Sequence, residues 1–202
     1  MRSLVFVLSL VAAAAGCDAK QTGTSLGTGT STNTSTNTST GTGTTTVPAG
    51  WTQWKVADGG NDHWYRIDRN KTDWLTAEAN AEGIAAHLVT ITSDAEEQFI
   101  INTYLTGDDL LNVFWMGCTD QAVEDTFVWI NGEPFDYTHW KSGEPNGWDG
   151  EGEDYCCINW NAVRGPIGEW NDALVAGTTG YDNGANDGPY ASIIESEQRP
   201  TQ

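Results

Sequence analysis

Between Glu144 and Asp172 the chain reads EPNGWDGEGEDYCCINWNAVRGPIGEWND. Three segments stand out there: Glu144-Pro145-Asn146, Glu153-Asp154 and Trp170-Asn171-Asp172. They alternate carboxylates and side-chain amides with glycine and tryptophan, and Arg164 is the one cation in the span. Acidic and amide oxygens without basic partners are what a hard cation such as calcium seeks, which takes about six to eight oxygens at roughly 2.3–2.6 Å. Magnesium fits less well, since it demands a tight octahedron and keeps its waters. Zinc prefers histidine or cysteine, and His139 has no second histidine near it. Glu144 and Glu153 would also suit the paired carboxylates of a glycosidase. The surrounding amides and Asp172 argue against that, because they load such a pair with a cation. His63, His87 and His139 lie in no nucleophile motif. The chain is therefore expected not to be an enzyme.

The charge balance points the same way. Nine basic residues face 28 acidic ones, a formal net charge of −19. Phosphate recognition needs a basic footprint, so nucleic acid is excluded as a partner. Ten tryptophans and 23 glycines suggest a loop-rich domain more than a helical bundle.

The elements that must position the acidic stretch come ahead of it. Trp64-Tyr65-Arg66-Ile67 has the aromatic and β-branched character of a strand. Asp73 caps a helix that puts Trp74, Ala77 and Ala81 on one face and ends at Gly83. Leu88 to Ile91 is extended. Ser93 and Glu96 form a capping box opening a second helix, with Phe99, Ile100 and Thr103 inward and Gly107 after it. Strands follow at Val113–Cys118 and Thr126–Ile130, with Asn131-Gly132 as a turn, then at Tyr155–Trp160, around Trp170 and at Tyr190–Glu195. One strand, two helices and several short strands around long loops make an α+β domain.

The first 50 residues read differently. Residues 1–16 carry Arg2, an apolar run from Leu4 to Ala15 and a small-residue end, the pattern of an export signal too short to span a membrane. Ala14-Ala15-Gly16-Cys17 resembles a bacterial lipobox, which implies cleavage before Cys17 and lipidation of its sulfur. The expected location is outside the cytoplasm, as a membrane-anchored lipoprotein at the periplasmic or cell surface, touching the membrane through its lipid alone. Residues 17–50 are dominated by Thr, Ser, Gly and Asn, with nothing to bury, and are expected to be a disordered tether. Residues 51–202 are expected to form the folded domain.

Taken together, these residues resemble the C-type lectin-like domain over roughly Trp51 to Glu195. The likeness is carried by Trp74 and Ala77 in the first helix and by His87-Leu88-Val89-Thr90-Ile91 after it. Phe114-Trp115-Met116-Gly117 matches the family's core strand, and the three acidic segments follow in the family's order. The resemblance implies two helices, two small antiparallel sheets and long calcium-binding loops. It implies a principal Ca2+ site made by Glu144, Asn146, Glu153, Asn171 and Asp172, with the Asp172 carbonyl as a further oxygen. A cis Glu144–Pro145 bond would turn the flanking side chains towards one ion. Asp120, Glu124 and Asp154 match an auxiliary calcium site. Gly147 stands where that site often has aspartate, so Asp149 would have to substitute.

In sugar-binding members, two neighbouring hydroxyls complete the calcium shell and hydrogen-bond the same side chains, here Glu144, Asn146, Glu153 and Asn171. The Glu-Pro-Asn order resembles the type that takes mannose, glucose or N-acetylglucosamine. Trp148 would stack on an apolar sugar face or simply pack. The implied function is calcium-dependent glycan recognition or adhesion by a surface-tethered domain. Many proteins with this fold bind no sugar, so the alternative is a lectin-like module that binds a protein or serves as a surface spacer. The chain departs from the family in its cysteines. Ala81 and Ile194 occupy the positions of the long disulfide, and Val175 sits about where a second bridge would end. An exported chain favours oxidation, which leaves Cys118 to pair with Cys156 or Cys157, a choice open at this level. The loop from Gly177 to Gly188, with Asp182, Asn183 and Asp187, reads as solvated.

Overall fold

The structure, a computed structural model, describes residues 46–147, 152–178 and 187–201. The signal segment, Cys17, almost all of the tether, Trp148, Asp149, Asp182 and Asn183 lie outside the described residues. The chain divides into two units at residues 42 and 43, and the first unit also lies outside them. No helix among the described residues is long and apolar enough to cross a membrane.

The domain opens with β1 (Thr52–Gln53), paired antiparallel to β2 (Trp64–Thr72). Helix α1 (Trp74–Glu82) starts where Asp73 accepts the Thr76 N–H at 2.9 Å and the Thr76 hydroxyl at 2.8 Å. Those bonds favour the ionised form and hold the Asp73 carboxyl below its ordinary value. Trp74, Ala77 and Ala81 face inward, and Gly83 caps the end. After β3 (His87–Leu88), α2 (Asp94–Tyr104) is capped by the Ser93 hydroxyl, which accepts from Glu96 N–H. The strands β4 (Phe114–Thr119), β5 (Val128–Trp129), β6 (Tyr155–Ile158), β7 (Trp170–Ala173) and β8 (Tyr190–Ser196) complete the fold.

The main ladder runs β1-β2-β8-β4-β6-β7, with β3 paired to β8 and β5 to β4. Two sheets were expected. A parallel pairing of Phe114 with Ala191 and Trp115 with Ser192 joins them into one eight-stranded ladder; the other strand pairings are antiparallel. The α+β lectin fold stands.

Alternation along β4 and β6 sorts the core into two layers. Phe114, Met116, Cys118, Cys156 and Ile158 join Ile91, Ile100 and Trp170 on one side. Trp115, Tyr155 and Cys157 join Trp74, Ala81, Leu88 and Ile194 on the other. Ala81 and Ile194 thus share one apolar cluster where the family's long bridge would lie. Cys118 is bonded to Cys156, and Cys157 is buried and free.

Three details differ from the pattern read in the sequence. The extended run at 88–91 forms a strand only over His87–Leu88: the Val89 backbone still bonds Ile193 and Gly117, but the Thr90 N–H goes to the Glu195 carboxylate at 3.0 Å. The strand expected at 126–130 shrinks to Val128–Trp129, since Asp125 takes a positive φ of 61° and Thr126 N–H closes a turn on Val123. In α2, Phe99 and Thr103 are only half-buried, while Glu96 and Glu97 are buried. Glu96 accepts from the Tyr65 hydroxyl at 2.6 Å and from Thr92, and Glu97 accepts from the Trp170 indole at 3.0 Å.

Candidate functional site

The Glu144-Pro145-Asn146 and Trp170-Asn171-Asp172 segments meet along β7, at the end of the main ladder, and Glu153-Asp154 leads into the neighbouring β6. Its register with β6 sets Asp172 opposite Cys156 and Asn171 opposite Cys157. Residues 139–147 are laid against the same strand. Trp170 N–H donates to the His139 carbonyl, Lys141 N–H donates to the Trp170 carbonyl, and Trp140 bridges to Trp170. Around Trp170 the aromatic rings of Trp129, Phe135, Tyr137 and Trp140 pack at centroid distances of 5.6 to 6.5 Å. A large buried indole therefore carries the strand and the loop together.

Asp172 does the joining. It is buried, and its Oδ2 accepts N–H groups from Asn146 at 3.0 Å and from Gly147 at 2.8 Å. The Glu144–Pro145 bond immediately before them is cis. The Asn171 side-chain amide donates to the Asp172 carbonyl, so that oxygen, expected as a further ligand, already has a partner. Asn171 and Glu153 are buried, and Asn146 is exposed.

The auxiliary residues lie beside this group. Asp120 N–H donates to the Asp154 carbonyl at 3.2 Å, and Asp120 Oδ2 accepts from Asp125 N–H at 2.9 Å. A Cβ built on Gly147 would stand 3.7 Å from Glu124 Oε1, which brings Glu124 next to the principal loop. Glu124 itself is exposed. Asp149 and Trp148 lie outside the described residues.

The electrostatics follow from like charges held close. Burial, then repulsion from Glu144 among other groups, raises the Asp172 carboxyl against the hydrogen bonds that lower it. Burial raises Asp120, with Asp154 and Asp172 adding repulsion. Glu124 is raised first by Asp120. Oxygens of Glu144, Asp120 and Asp172 are buried without a hydrogen-bond partner among the described residues: Oε2, Oδ1 and Oδ1 respectively. Buried carboxylate oxygens left without partners cost desolvation energy unless something positive answers them. In donor type and in these unpartnered buried oxygens, the residues fit a calcium ion.

One cation is near. Lys141 Nζ lies 3.0 Å from Glu144 Oε1, an ion pair that the reading of the 144–172 span alone missed. Its signal was within reach, since Lys141 stands three residues before Glu144. Among the described residues no group of three or more His, Cys, Asp or Glu side chains is gathered closely enough to hold a metal. Two of the five expected donors are asparagines, and residues 148–151 lie outside the description.

Fold and site together define a class of protein: the chain belongs to the C-type lectin domain family, whose model matches residues 70–174. This is not an enzyme family, and the chain is not an enzyme. Among curated relatives, Lectin BRA-3 of Megabalanus rosa is 33% identical over 121 residues, covering 59% of this chain and 67% of its own. C-type lectin domain family 4 member F of Mus musculus is 33% identical over 126 residues, 59% of this chain, and the match spans only 20% of that longer protein. Among solved structures, the mouse scavenger receptor C-type lectin carbohydrate-recognition domain superposes with a TM-score of 0.57 at 26% identity, covering 77% of this chain and 99% of that one. The cow CD23 carbohydrate-recognition domain, determined in the presence of a GlcNAc2Man3 oligosaccharide, gives 0.56 at 22% identity, over 78% and 99%. A calcium-independent type II antifreeze protein gives 0.55 at 22% identity, over 75% and 94%.

Proposed function

We propose that the chain is a calcium-dependent carbohydrate-binding protein, taking mannose-, glucose- or N-acetylglucosamine-type sugars at Glu144, Asn146, Glu153, Asn171 and Asp172. The observation that carries this reading is Asp172 of β7 clamping the Asn146 and Gly147 backbone beside buried oxygens of Glu144, Asp120 and Asp172 that no described residue hydrogen-bonds. Bound there, calcium would present open coordination positions to two neighbouring sugar hydroxyls. The chain's own part is to hold the ligands still. Asp172 ties down the backbone of Asn146 and Gly147, and Trp170 anchors the strand under them. Glu144, once released from Lys141, and Asn146 would then hold the ion and offer carboxylate and amide groups to the hydroxyls. Asp120, Glu124, Asp149 and Asp154 form the proposed auxiliary site. Support for a sugar also comes from the relatives: a lectin by name, and a carbohydrate-recognition domain determined with an oligosaccharide.

The proposal extends to the whole chain: export through residues 1–16, lipidation at Cys17, a tether to residue 50 and the lectin domain from 51 to 202. Extracellular calcium modules sit at about 10⁻⁴–10⁻³ M, so adhesion would rest on many tethered copies meeting a polyvalent glycan. A second reading, a lectin-like module for a protein partner, is favoured by the Lys141–Glu144 ion pair, which already neutralises one expected ligand. A glycan array probed with the domain in calcium and in chelator separates the two. The lectin reading expects signals on mannose- and glucose-terminated glycans that vanish with chelator. Silence in both conditions would leave the protein-binding reading.

A further inference from the structure

Three Asn-Gly pairs occur in the chain, at Asn131-Gly132, Asn146-Gly147 and Asn183-Gly184, and the last lies outside the described residues. This dipeptide is chemically labile, because glycine has no Cβ to shield its nitrogen from the preceding amide carbon. The two described pairs share much. Each glycine has positive φ, 81° at Gly132 and 52° at Gly147. Each glycine N–H is hydrogen-bonded, to the Trp129 carbonyl at 3.1 Å and to Asp172 Oδ2 at 2.8 Å. Their asparagine side chains differ. Asn131 is pinned by three bonds: its Nδ2 donates to Thr90 Oγ1 at 3.1 Å and Glu133 Oε2 at 2.9 Å, and its Oδ1 accepts from Glu133 N–H at 3.1 Å. Asn146 is exposed, and no described residue hydrogen-bonds its side-chain amide.

We propose that Asn146-Gly147 is a deamidation site, a slow one-way modification at the centre of the candidate binding loop. The Gly147 nitrogen gives its proton to solvent base and bonds to Asn146 Cγ. The Cγ–Nδ2 bond breaks, ammonia leaves with a proton from water, and a succinimide remains. Water then opens the ring at either carbonyl, giving aspartate or isoaspartate. The net reaction consumes one water and releases one ammonia, with no redox change. The product adds a negative charge beside Asp172 and removes the amide N–H donors. Isoaspartate also lengthens the backbone by one carbon between the two N–H groups that Asp172 holds. Asn131 cannot swing its amide onto Gly132 without losing three hydrogen bonds, so it serves as the internal reference.

If the proposed function holds, ligation of Asn146 by calcium restrains its side chain and slows the conversion. The test is ageing of the full chain in mildly alkaline buffer with chelator, followed by peptide mapping for the mass gain of amide-to-acid exchange. Conversion at Asn146 is expected to run at least severalfold faster than at Asn131. Gly147→Ala should bring Asn146 down to the Asn131 rate, and an unchanged Asn131 rate shows that the fold is kept. Equal rates at the two asparagines in the native chain, or conversion indifferent to Gly147→Ala, would overturn the site. A parallel sample in calcium should age more slowly at Asn146 alone. Indifference to calcium there, with fast conversion retained, would count against the calcium reading and not against the modification.

Discussion

Lys141 sits where the proposed cation would have to compete. Its ammonium lies 3.0 Å from Glu144 Oε1, and its backbone N–H is donated to the Trp170 carbonyl, so the side chain springs from a fixed base. The lysine end is partly open to solvent, at 22% exposure. Screened pairs of this kind contribute about 0.2–1 kcal/mol. Lys141→Met should therefore raise calcium affinity, by no more than about fivefold, in calorimetric titration; weaker binding in this variant would make Lys141 a supporting residue, not a competitor. Asp172 offers a second test at this scale, since its charge and its acceptor role separate. Asp172→Ala leaves the Asn146 and Gly147 N–H groups without their partner, at a cost of about 1–3 kcal/mol. Asp172→Asn keeps an acceptor and deletes the charge. Hydrogen exchange around 144–147 should rise strongly in the first variant and little in the second, while both lose calcium binding. Equal exchange in the two variants would show that the clamp is not a hydrogen bond.

The helices and strands keep acids inside, and these tie distant elements to the site. Glu97 of α2 accepts from the Trp170 indole 73 residues away, and His139 Nδ1 lies 3.4 Å from its other oxygen, a loose ion pair without hydrogen-bond geometry. Glu195 of β8 holds His63 at 2.6 Å and also takes Thr90 N–H, joining the N-terminal strands to the sheet centre. The hydrogen bond to Glu195 is the largest influence raising the His63 imidazole above its ordinary 6.5. A histidine raised on folding contributes stability that is complete below the ordinary value and fades as pH rises through the folded one. His63→Gln should thus lower the unfolding free energy by about 1 kcal/mol in mild acid and by little in alkali; a loss that does not change with pH would mean packing, not charge. Such links also mark what the sequence leaves hidden. Asp73 and Ser93 announce their helices because a cap is local, and the alternation through β4 is local too. Glu96 and Glu97 look like solvent-facing residues of a capping turn, because their partners Tyr65 and Trp170 are 31 and 73 residues distant. Cys156 and Cys157 are equal candidates until the register of β6 puts Cys156 on the same face as Cys118. The acidic segments themselves were legible as donors, since oxygen chemistry needs no register, but their clamp on Asp172 and the Lys141 pair depend on how two loops fold against β7.

At the scale of the whole molecule, the formal charge of −19 sets the sign of every electrostatic test. Three acids of the site, Asp120, Glu124 and Asp172, are raised, the first and last chiefly by burial and Glu124 chiefly by Asp120. A carboxyl raised on folding binds its proton more tightly in the folded state. Without a cation, this group therefore costs stability near neutral pH, and stability should recover as pH falls through the raised values towards the ordinary 3.8–4.5. With calcium the sign reverses, because ligation needs the charged form and acid expels the ion. Mass action sets the size: a ligand at 100 times its dissociation constant stabilises by about 2.7 kcal/mol, and 1 kcal/mol shifts the melting midpoint of a domain this size by about 2–4 °C. Sodium chloride at matched ionic strength screens the surface charge but fills no site, so it should give a smaller rise. Melting curves taken from neutral to mildly acidic pH, in calcium and in chelator, should therefore converge on acidification, the calcium curve falling from above as the ion leaves while the site's cost in chelator is relieved. Parallel curves, or a calcium effect reproduced by salt, would mean that the unanswered carboxylates along β7 hold no ion.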